Sequence, residues 1–430
     1  MARAASRATR LTQFGIDLLA LSALSSAHCV CAVRDTLHGH RFVLCDSLAR
    51  LRPLAAAAPP AAAIIELCLI LPAVAAKTYS GSKQSHSIMK EEDIIYLASA
   101  GYDHTIRFWS PHEGKCTRVI QHPQSQVNDL KITPDKQFLA AASFQHVRMY
   151  NILTVHNNNP EINLEGFNNN VLSIGFQEDS QRLFSGGEDC VTRVWDLKAR
   201  KNQSQRMLES ESCVNSVKLH SNQNELFIGQ QHGHITIWDM RFSNATLMVR
   251  LTQQHPSNFT GVQCLSLNPM EDMLAAIDNV GHVHIFSPAQ TLSLSCSWKA
   301  HTRYGIKCLF SPNGKYLVTT SADYTAKVWK TCDVMKHCCR HNEGGRATEP
   351  TTTTEDSKST SPSNQQLVPF KVLTTENQRW VWDVAFSADS QFLLTGSSES
   401  VVRLWHIETA ETRREYTGHQ KAVTALAFSD

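Results

Sequence analysis

Residues 308–329 read CLFSPNGKYLVTTSADYTAKVW. Apolar runs on either side of Ser311-Pro312-Asn313-Gly314 predict two antiparallel strands joined by a tight turn. A second turn at Ala322-Asp323-Tyr324 sends the chain into a third strand that ends on Trp329. This pattern recurs. Short β-rich runs end on an aromatic at Trp109, Tyr150, Trp195, Trp238, Phe286, Trp329 and Trp405, with spacings of 41, 45, 43, 48, 43 and 76 residues. All but the last lie near the roughly 40–45 residues of a four-stranded propeller blade. The hairpin pattern reappears in VLSIGFQEDSQRLFSGGED, residues 171–189, and in VAFSADSQFLLTGSSE, residues 384–399. No convincing amphipathic helix interrupts these repeats, which argues for a closed all-β architecture.

The two ends complete one another. Residues 94–122 supply the second, third and fourth strands of a blade with no first strand before them. GHQKAVTALAFSD, residues 418–430, supplies a Gly-His turn and a first strand with nothing after it. Pairing them closes a ring and removes the two sheet edges that an open array would expose. The expected fold is an all-β, seven-bladed propeller over residues 91–430, closed by a blade shared between N- and C-terminal strands. The 76-residue gap holds a polar insertion, VMKHCCRHNEGGRATEPTTTTEDSKSTSPSNQQL, residues 334–367. Removing roughly 33 residues restores a period of about 43, so residues 331–369 are expected to be largely a disordered loop ahead of a fourth strand at FKVLTT.

Residues 1–90 differ in kind: they are rich in Ala, Leu and Ser, with Arg3, Arg7 and Arg10 and no acid before Asp17. That composition resembles an organelle presequence, but a mostly disordered or spurious extension is the expectation. Residues 54–76 reach membrane-spanning length, yet Pro59, Pro60, Glu66 and Pro72 interrupt them, so no integral span is expected. Lys+Arg 41 against Asp+Glu 39 leaves a net charge of +2, which gives no reason to invoke nucleic acid or an anionic membrane. The 13 cysteines form no CxxC pair, which points to reduced, packed thiols in a cytosolic or nuclear protein. Two loose clusters, His28 with Cys29 and Cys31, and His337, Cys338, Cys339 with His341, lack the spacing of a structural metal site. No metal or other cofactor is expected. P-loop, GxSxG and HExxH motifs are absent, so the chain is not expected to be an enzyme.

Asp103, Asp189 and Asp323 each stand six residues before a blade aromatic, with Glu399 in the same place in another repeat. Phe144, His232 and Val280 replace the acid elsewhere. Histidines suited to pair with these acids are His301 for Asp323 and, across the split blade, His419 for Asp103. A buried charged pair must be fully satisfied, so these residues are expected to be structural rather than catalytic. Aligned on the Phe of each first strand, the preceding loop position holds Gln126, Asn170, Cys213, Gly261, Tyr304, Trp380 and Ala422. Large aromatics beside a polar residue are the make-up of a binding hot spot. Gln126, Tyr304, Trp380, Trp382 and Tyr102 are therefore the candidate partner-binding residues, on the face formed by these loops and the second-to-third-strand turns. WDMR at residues 238–241 supports an alternative reading, a substrate receptor of a cullin-type ubiquitin ligase.

YLASAGYDHTIRFW, GGEDCVTRVWDLKARKNQSQR, SADYTAKVW, REYTGHQKAVTALAF, HVRMYNILT, AHTRY and WVWDVAFS carry a resemblance beyond the generic repeat. Over essentially all of residues 93–430 the chain resembles the G-protein β-subunit-like WD-repeat subunits of the target-of-rapamycin kinase complexes. The resemblance implies a non-catalytic scaffold bound to the catalytic lobe of that kinase in both complexes, and indirectly to their other large subunits. It also implies a cytoplasmic protein, recruited with its complex to lysosomal or other endomembrane surfaces. Residues 1–90 and the long insertion depart from the family pattern.

Overall fold

The computed structural model describes residues 96–430 apart from 155–156, 200–203, 243, 252–259, 271, 289–291 and 344–366, and before them only residues 17–18, 32–34 and 42–43. Those three short stretches, Asp17–Leu18, Ala32–Arg34 and Phe42–Val43, pair as a small antiparallel sheet. The presequence-like start, the apolar run at 54–76 and the cluster of His28, Cys29 and Cys31 lie outside the described residues. Among the described residues no helix is long and apolar enough to cross a membrane.

Residues Met89–Asp430 fall in one compact unit made of four-stranded antiparallel meanders. Blade 1 joins Val423–Ser429 to Tyr96–Gly101, Thr105–Trp109 and Cys116–Gln121. Blade 2 runs through Asp129–Ile132, Phe138–Ala142 and Phe144–Asn151 into the long strand Ile162–Phe176. That strand also opens blade 3, which continues with Arg182–Gly187, Val191–Asp196 and Ser204–Glu209, so the two blades share one seven-stranded sheet. Blade 4 is Val214–Leu219, Glu225–Gln230, His234–Asp239 and Leu247–Arg250. Blade 5 is Val262–Leu267, Leu274–Asp278, His282–Ser287 and Ser293–Lys299. Blade 6 is Gly305–Phe310, Tyr316–Ser321, Ala326–Lys330 and Lys371–Leu373, and blade 7 is Val381–Phe386, Phe392–Ser397, Val401–His406 and Glu411–Thr417.

First strands pack on one another in sequence, and that of blade 1 touches those of both blade 7 and blade 2. Second strands, between the first and third strands of their own blade, also pack on the first strand of the next blade and are buried almost throughout, whereas outer strands such as Glu411–Thr417 alternate exposed and covered residues. Trp195, Trp238, Trp329 and Trp405 are among the largest fully buried side chains, which explains the periodic aromatic.

A side chain links each inner strand to the next. The Asp129 carboxylate accepts the Ile174 N–H at 3.0 Å, Ser173 accepts that of Val217 at 3.1 Å, and Ser216 that of Leu265 at 3.0 Å. Ser266 accepts the Phe310 N–H at 2.9 Å, Lys307 pairs with Asp383 at 3.2 Å, and Asp383 accepts the Leu426 N–H at 2.8 Å. Blade 1 reaches blade 2 through the Thr424 hydroxyl, which donates to the Val127 carbonyl at 2.6 Å. The join within blade 1 is tight. A Cβ at Gly101 would stand 2.0 Å from the Ala422 carbonyl oxygen, so only glycine permits that pairing.

Two expectations are corrected. Residues Thr331–Glu343, read from sequence as the start of a largely disordered loop, form helix α1, packed on the outer strand of blade 5 with Val334 and Cys338 buried. Its apolar residues are few, with Val334 and Cys338 buried one turn apart in an otherwise polar stretch, and packing beside Trp298 supplies what propensity does not. Residues 344–366 of the insertion lie outside the described residues. The cysteines are not all reduced: Cys338 is disulfide-bonded to Cys296 of blade 5, whereas Cys264 and Cys308 are buried free thiols.

Deleting residues 418–430 removes the inner strand of blade 1, its links to blades 7 and 2, and His419. Each buried backbone group left unpaired costs about 1–3 kcal/mol against a domain stability of about 5–15 kcal/mol. Soluble expression and a cooperative melt should both be lost; a deletion variant that melts like the parent would show that these links do not hold the ring.

Candidate functional site

Blade interiors carry hydroxyl–histidine–carboxylate chains. In blade 1 the Trp109 indole N–H donates to Ser99 Oγ at 2.7 Å, Ser99 Oγ lies 2.7 Å from His419 Nε2, and His419 Nδ1 lies 2.7 Å from Asp103. Blade 6 repeats it with Trp329, Thr319, His301 and Asp323, at 3.0, 2.8 and 2.9 Å. An indole can only donate, so each hydroxyl oxygen accepts from it, and its own hydrogen is directed to Nε2, leaving Nδ1–H for the carboxylate. Burial alone would raise the Asp103 carboxyl, but His419, the Gln420 N–H and the Thr105 hydroxyl outweigh it and hold it well below the usual carboxylate range. Asp323 is lowered in the same way: burial opposes the shift, and His301, Thr325 and the Thr302 N–H outweigh it.

This is the connectivity of a serine-hydrolase triad, including a hydroxyl that sequence reasoning did not place there. Its setting excludes that chemistry. Ser99 is 0% exposed, the His419 side chain likewise, and the hydroxyl already binds an indole, so no acyl group can reach it. Asp189 pairs with Arg193 at 2.6 Å rather than with a histidine. In blade 5 the acid is Asp278, two residues before the position held by Val280, and it lies 3.1 Å from His284. Blade 2 uses histidines instead: His122 lies 2.8 Å from the Tyr150 hydroxyl, 2.6 Å from Ser143 and 3.2 Å from His146. Burial, with His146 and Arg148 alongside, pushes the His122 imidazole down to about 3, and burial and Arg148 push His146 down to about 4.

The loop positions aligned by sequence meet the second-to-third-strand turns at one end of the blades. Backbone N–H groups of Tyr102, Glu188, Gln231, Asn279, Ala322 and Ser398 donate to the carbonyls of Ala422, Asn170, Cys213, Gly261, Tyr304 and Trp380 at 2.9–3.0 Å. On this rim the rings of Tyr102 and Trp382 lie 6.2 Å apart and those of Trp382 and Trp380 lie 5.5 Å apart, an aromatic run crossing from blade 1 to blade 7. The Trp382 indole donates to Ser398 at 2.7 Å, which fixes its ring, whereas Trp380 is 41% exposed. Tyr304, on blade 6, is exposed and bonded to Gln263, and burial of its hydroxyl raises its pKa. Gln126, before blade 2, is half-buried and makes no side-chain hydrogen bond among the described residues. Thus Tyr102, Trp380 and Trp382 are in contact, and Tyr304 and Gln126 flank them on the next blade at either side. Two exposed aromatics were missed: Tyr324, beneath the Arg303 guanidinium at 5.4 Å, and Phe144. They stand where the second strand passes to the third in blade 6 and blade 2, the counterparts of the turn that holds Asp103 in blade 1, and that position was their signal.

Inside the ring Lys307 lies 3.2 Å from Asp383 and 3.7 Å from Asp129. Burial would lower its ammonium pKa, but the two carboxylates outweigh that and push it up. Of the WDMR stretch, Trp238, Asp239 and Met240 are buried, and Arg241 turns back onto Asp239 at 2.7 Å. Its side chains offer a partner little beyond one arginine.

A family model described as "WD domain, G-beta repeat" matches residues 114–150, 158–196, 292–330 and 368–406. Each window runs from an outer strand to the aromatic of the next blade, the same one-strand offset that splits blade 1. The chain is 40% identical over 345 residues, 79% of its length, to the target of rapamycin complex subunit LST8 of Bos taurus, of which it covers 96%. It is 38% identical over 247 residues, 56% of its length, to the subunit of that name in Saccharomyces cerevisiae, covering 79% of it. With LST8-1 of Arabidopsis thaliana it shares 36% identity over 249 residues, 55% of this chain and 76% of that one.

The histidine pair of blade 2 sets a pH dependence. Unfolded histidine takes up a proton near pH 6.5, whereas folded His122 stays neutral down to about 3. The unfolded state therefore binds more protons across that interval, and stability falls as pH falls below about 6.5. Thermal melts from pH 7.5 to pH 4 should show the decline, and His122→Gln, which keeps a polar group beside Ser143 and Tyr150, should flatten it. A variant slope equal to the parent's would place the effect elsewhere.

Proposed function

Since this chain belongs to the family of target of rapamycin complex subunits named LST8, we propose that it is a non-catalytic subunit that binds and stabilises the catalytic lobe of the target-of-rapamycin kinase. The observation that carries the docking face is the aromatic run of exposed Tyr102, half-buried Trp382 and exposed Trp380, flanked by Tyr304 and Gln126. Rigid aromatics bury large apolar area at low entropic cost, and Gln126 offers unpaired amide atoms for directional contacts. The buried hydroxyl–histidine–aspartate chains stiffen the turns that carry Tyr102 and Tyr324. They act on binding through preorganisation and do no chemistry. On this reading the protein works in the cytoplasm and reaches endomembrane surfaces only with its complex. The ubiquitin-ligase alternative draws on WDMR alone, whose side chains are mostly buried.

Trp380→Ala should weaken kinase binding by about 2 kcal/mol or more, roughly thirtyfold. Gln126→Glu puts an uncompensated charge on the same face and should also weaken it. Both variants should melt within a few degrees of the parent, because neither side chain is buried in the core. Pull-down of the kinase paired with thermal denaturation separates the outcomes. An unfolded Trp380→Ala would make that residue blade packing, and a folded variant that binds undiminished would move the partner to another face. Mass spectrometry of co-purified proteins distinguishes the kinase from a cullin adaptor.

A further inference from the structure

Blades 3 and 4 enclose a cleft of about 270 Å³ at the end of the blades opposite the aromatic rim. Its walls come from the start of the second and fourth strands of blade 3, Arg182 with Gln205 and Arg206, and from blade 4 turns carrying Asn224 and Arg241; Val194 and Met240 add apolar surface. Three arginines thus converge on one small space, and their charges are not equally spent. Arg241 is held by Asp239 through Nε at 3.0 Å and Nη2 at 2.7 Å. Arg206 donates one N–H to the Met240 carbonyl, which orients its fork, while the Asp239 carboxylate that holds Arg241 acts on it only through charge, with no hydrogen bond between them. Arg182 makes no side-chain hydrogen bond or ion pair among the described residues. Its cross-strand neighbour Asp196 instead accepts from Gln205 at 2.7 Å and from the Lys198 N–H at 2.9 Å. Glu225, the other acid acting on Arg241, is bonded to Asn222 at 3.0 Å. Among the described residues, two guanidinium groups therefore face the cleft with no carboxylate hydrogen-bonded to either.

We propose that this cleft binds a phosphate monoester carried on a phosphorylated serine or threonine of a partner peptide. Two planar forks from different strands match the three oxygens and near-double charge of a phosphate, whereas a single carboxylate engages only one fork. The volume lies just under the roughly 300–1,000 Å³ of small-molecule sites, and suits a phosphoryl group with the side chain that bears it. A peptide is favoured over a lipid headgroup on two grounds. Phe242, 60% exposed with Arg241 over its ring at 5.9 Å, gives a neighbouring peptide residue an apolar foothold. The chain's net charge of only +2 provides no broad basic field to hold a membrane surface.

The test presents the full chain with an oriented library of phosphoserine peptides, its unphosphorylated counterpart, inorganic phosphate, and vesicles containing phosphatidic acid. The library should be retained at least about tenfold more tightly than its unphosphorylated form and than inorganic phosphate. Arg182→Gln should weaken the best peptide about tenfold, or about 1.4 kcal/mol, with an unchanged melt, because that side chain has no hydrogen-bond or ion-pair partner among the described residues. Arg206→Lys keeps the charge but loses the fork, and should weaken it similarly. Equal retention of the two libraries would overturn the proposal, as would undiminished binding by a folded Arg182→Gln. Vesicle binding that displaces the peptide and is lost in Arg182→Gln would assign the cleft to a lipid headgroup instead. Inorganic phosphate binding as tightly as any peptide would remove the peptide from the assignment.

Discussion

Everything in the propeller hangs on how each inner strand grips the next. Hydrogen bonds within a blade satisfy that blade's own backbone, and apart from the long strand Ile162–Phe176 that blades 2 and 3 share, they do not hold blade to blade. That work falls to a short side chain on each inner strand, Asp129, Ser173, Ser216, Ser266, Asp383 or Thr424, which reaches the neighbouring backbone at 2.6–3.1 Å, and to the Lys307–Asp383 pair at the remaining junction. Because the links run around a ring, a loose junction has no free end at which strain can relax. Apolar side chains from all the strand positions, the second strands among them, pack in clusters between the joined blades and supply burial energy there. The polar links tie each inner strand to its neighbour around the ring.

The same economy explains why a catalytic-looking arrangement stays inert. Ser99, His419 and Asp103 stand at triad distances, yet the chain exists to satisfy a buried indole and to fix the turn after the second strand. Leaving any one of these buried polar atoms unpaired would cost about 1–3 kcal/mol. Blades that lack the histidine solve the same problem differently, with Arg193 on Asp189, Arg403 on Glu399 or His284 on Asp278. What is common to them is a satisfied carboxylate at the turn.

Stiff turns make the two ends of the blades separately usable. One end displays Tyr102, Trp380, Tyr304 and Tyr324 on backbone pinned by repeated N–H to carbonyl contacts. The other carries the arginine cleft between blades 3 and 4. Ligands on opposite ends need not compete, so a propeller can be held by one partner and still offer its far side to another.

Period, turn chemistry and the matching of the two termini were legible in the 430 residues themselves, because strand alternation and blade length are local properties that a linear pattern must carry. The loop positions aligned on the strand Phe were legible for the same reason. Helix α1 was not: its thirteen residues are mostly polar and carry only a narrow apolar stripe, and contact with Trp298 and the bond from Cys338 to Cys296 place it, all of them distant in sequence. Nor could one dimension reveal that Ser99 sits beside His419, 320 residues away, or that Arg182, Arg206 and Arg241 share a cleft while, among the described residues, only the last is ion-paired to a carboxylate. The sequence by itself determined the repeat, because each blade is specified by its own alternation. Only the tertiary structure decided which polar groups are spent on holding the ring and which remain free to meet a partner, because that depends on neighbours brought together by closure.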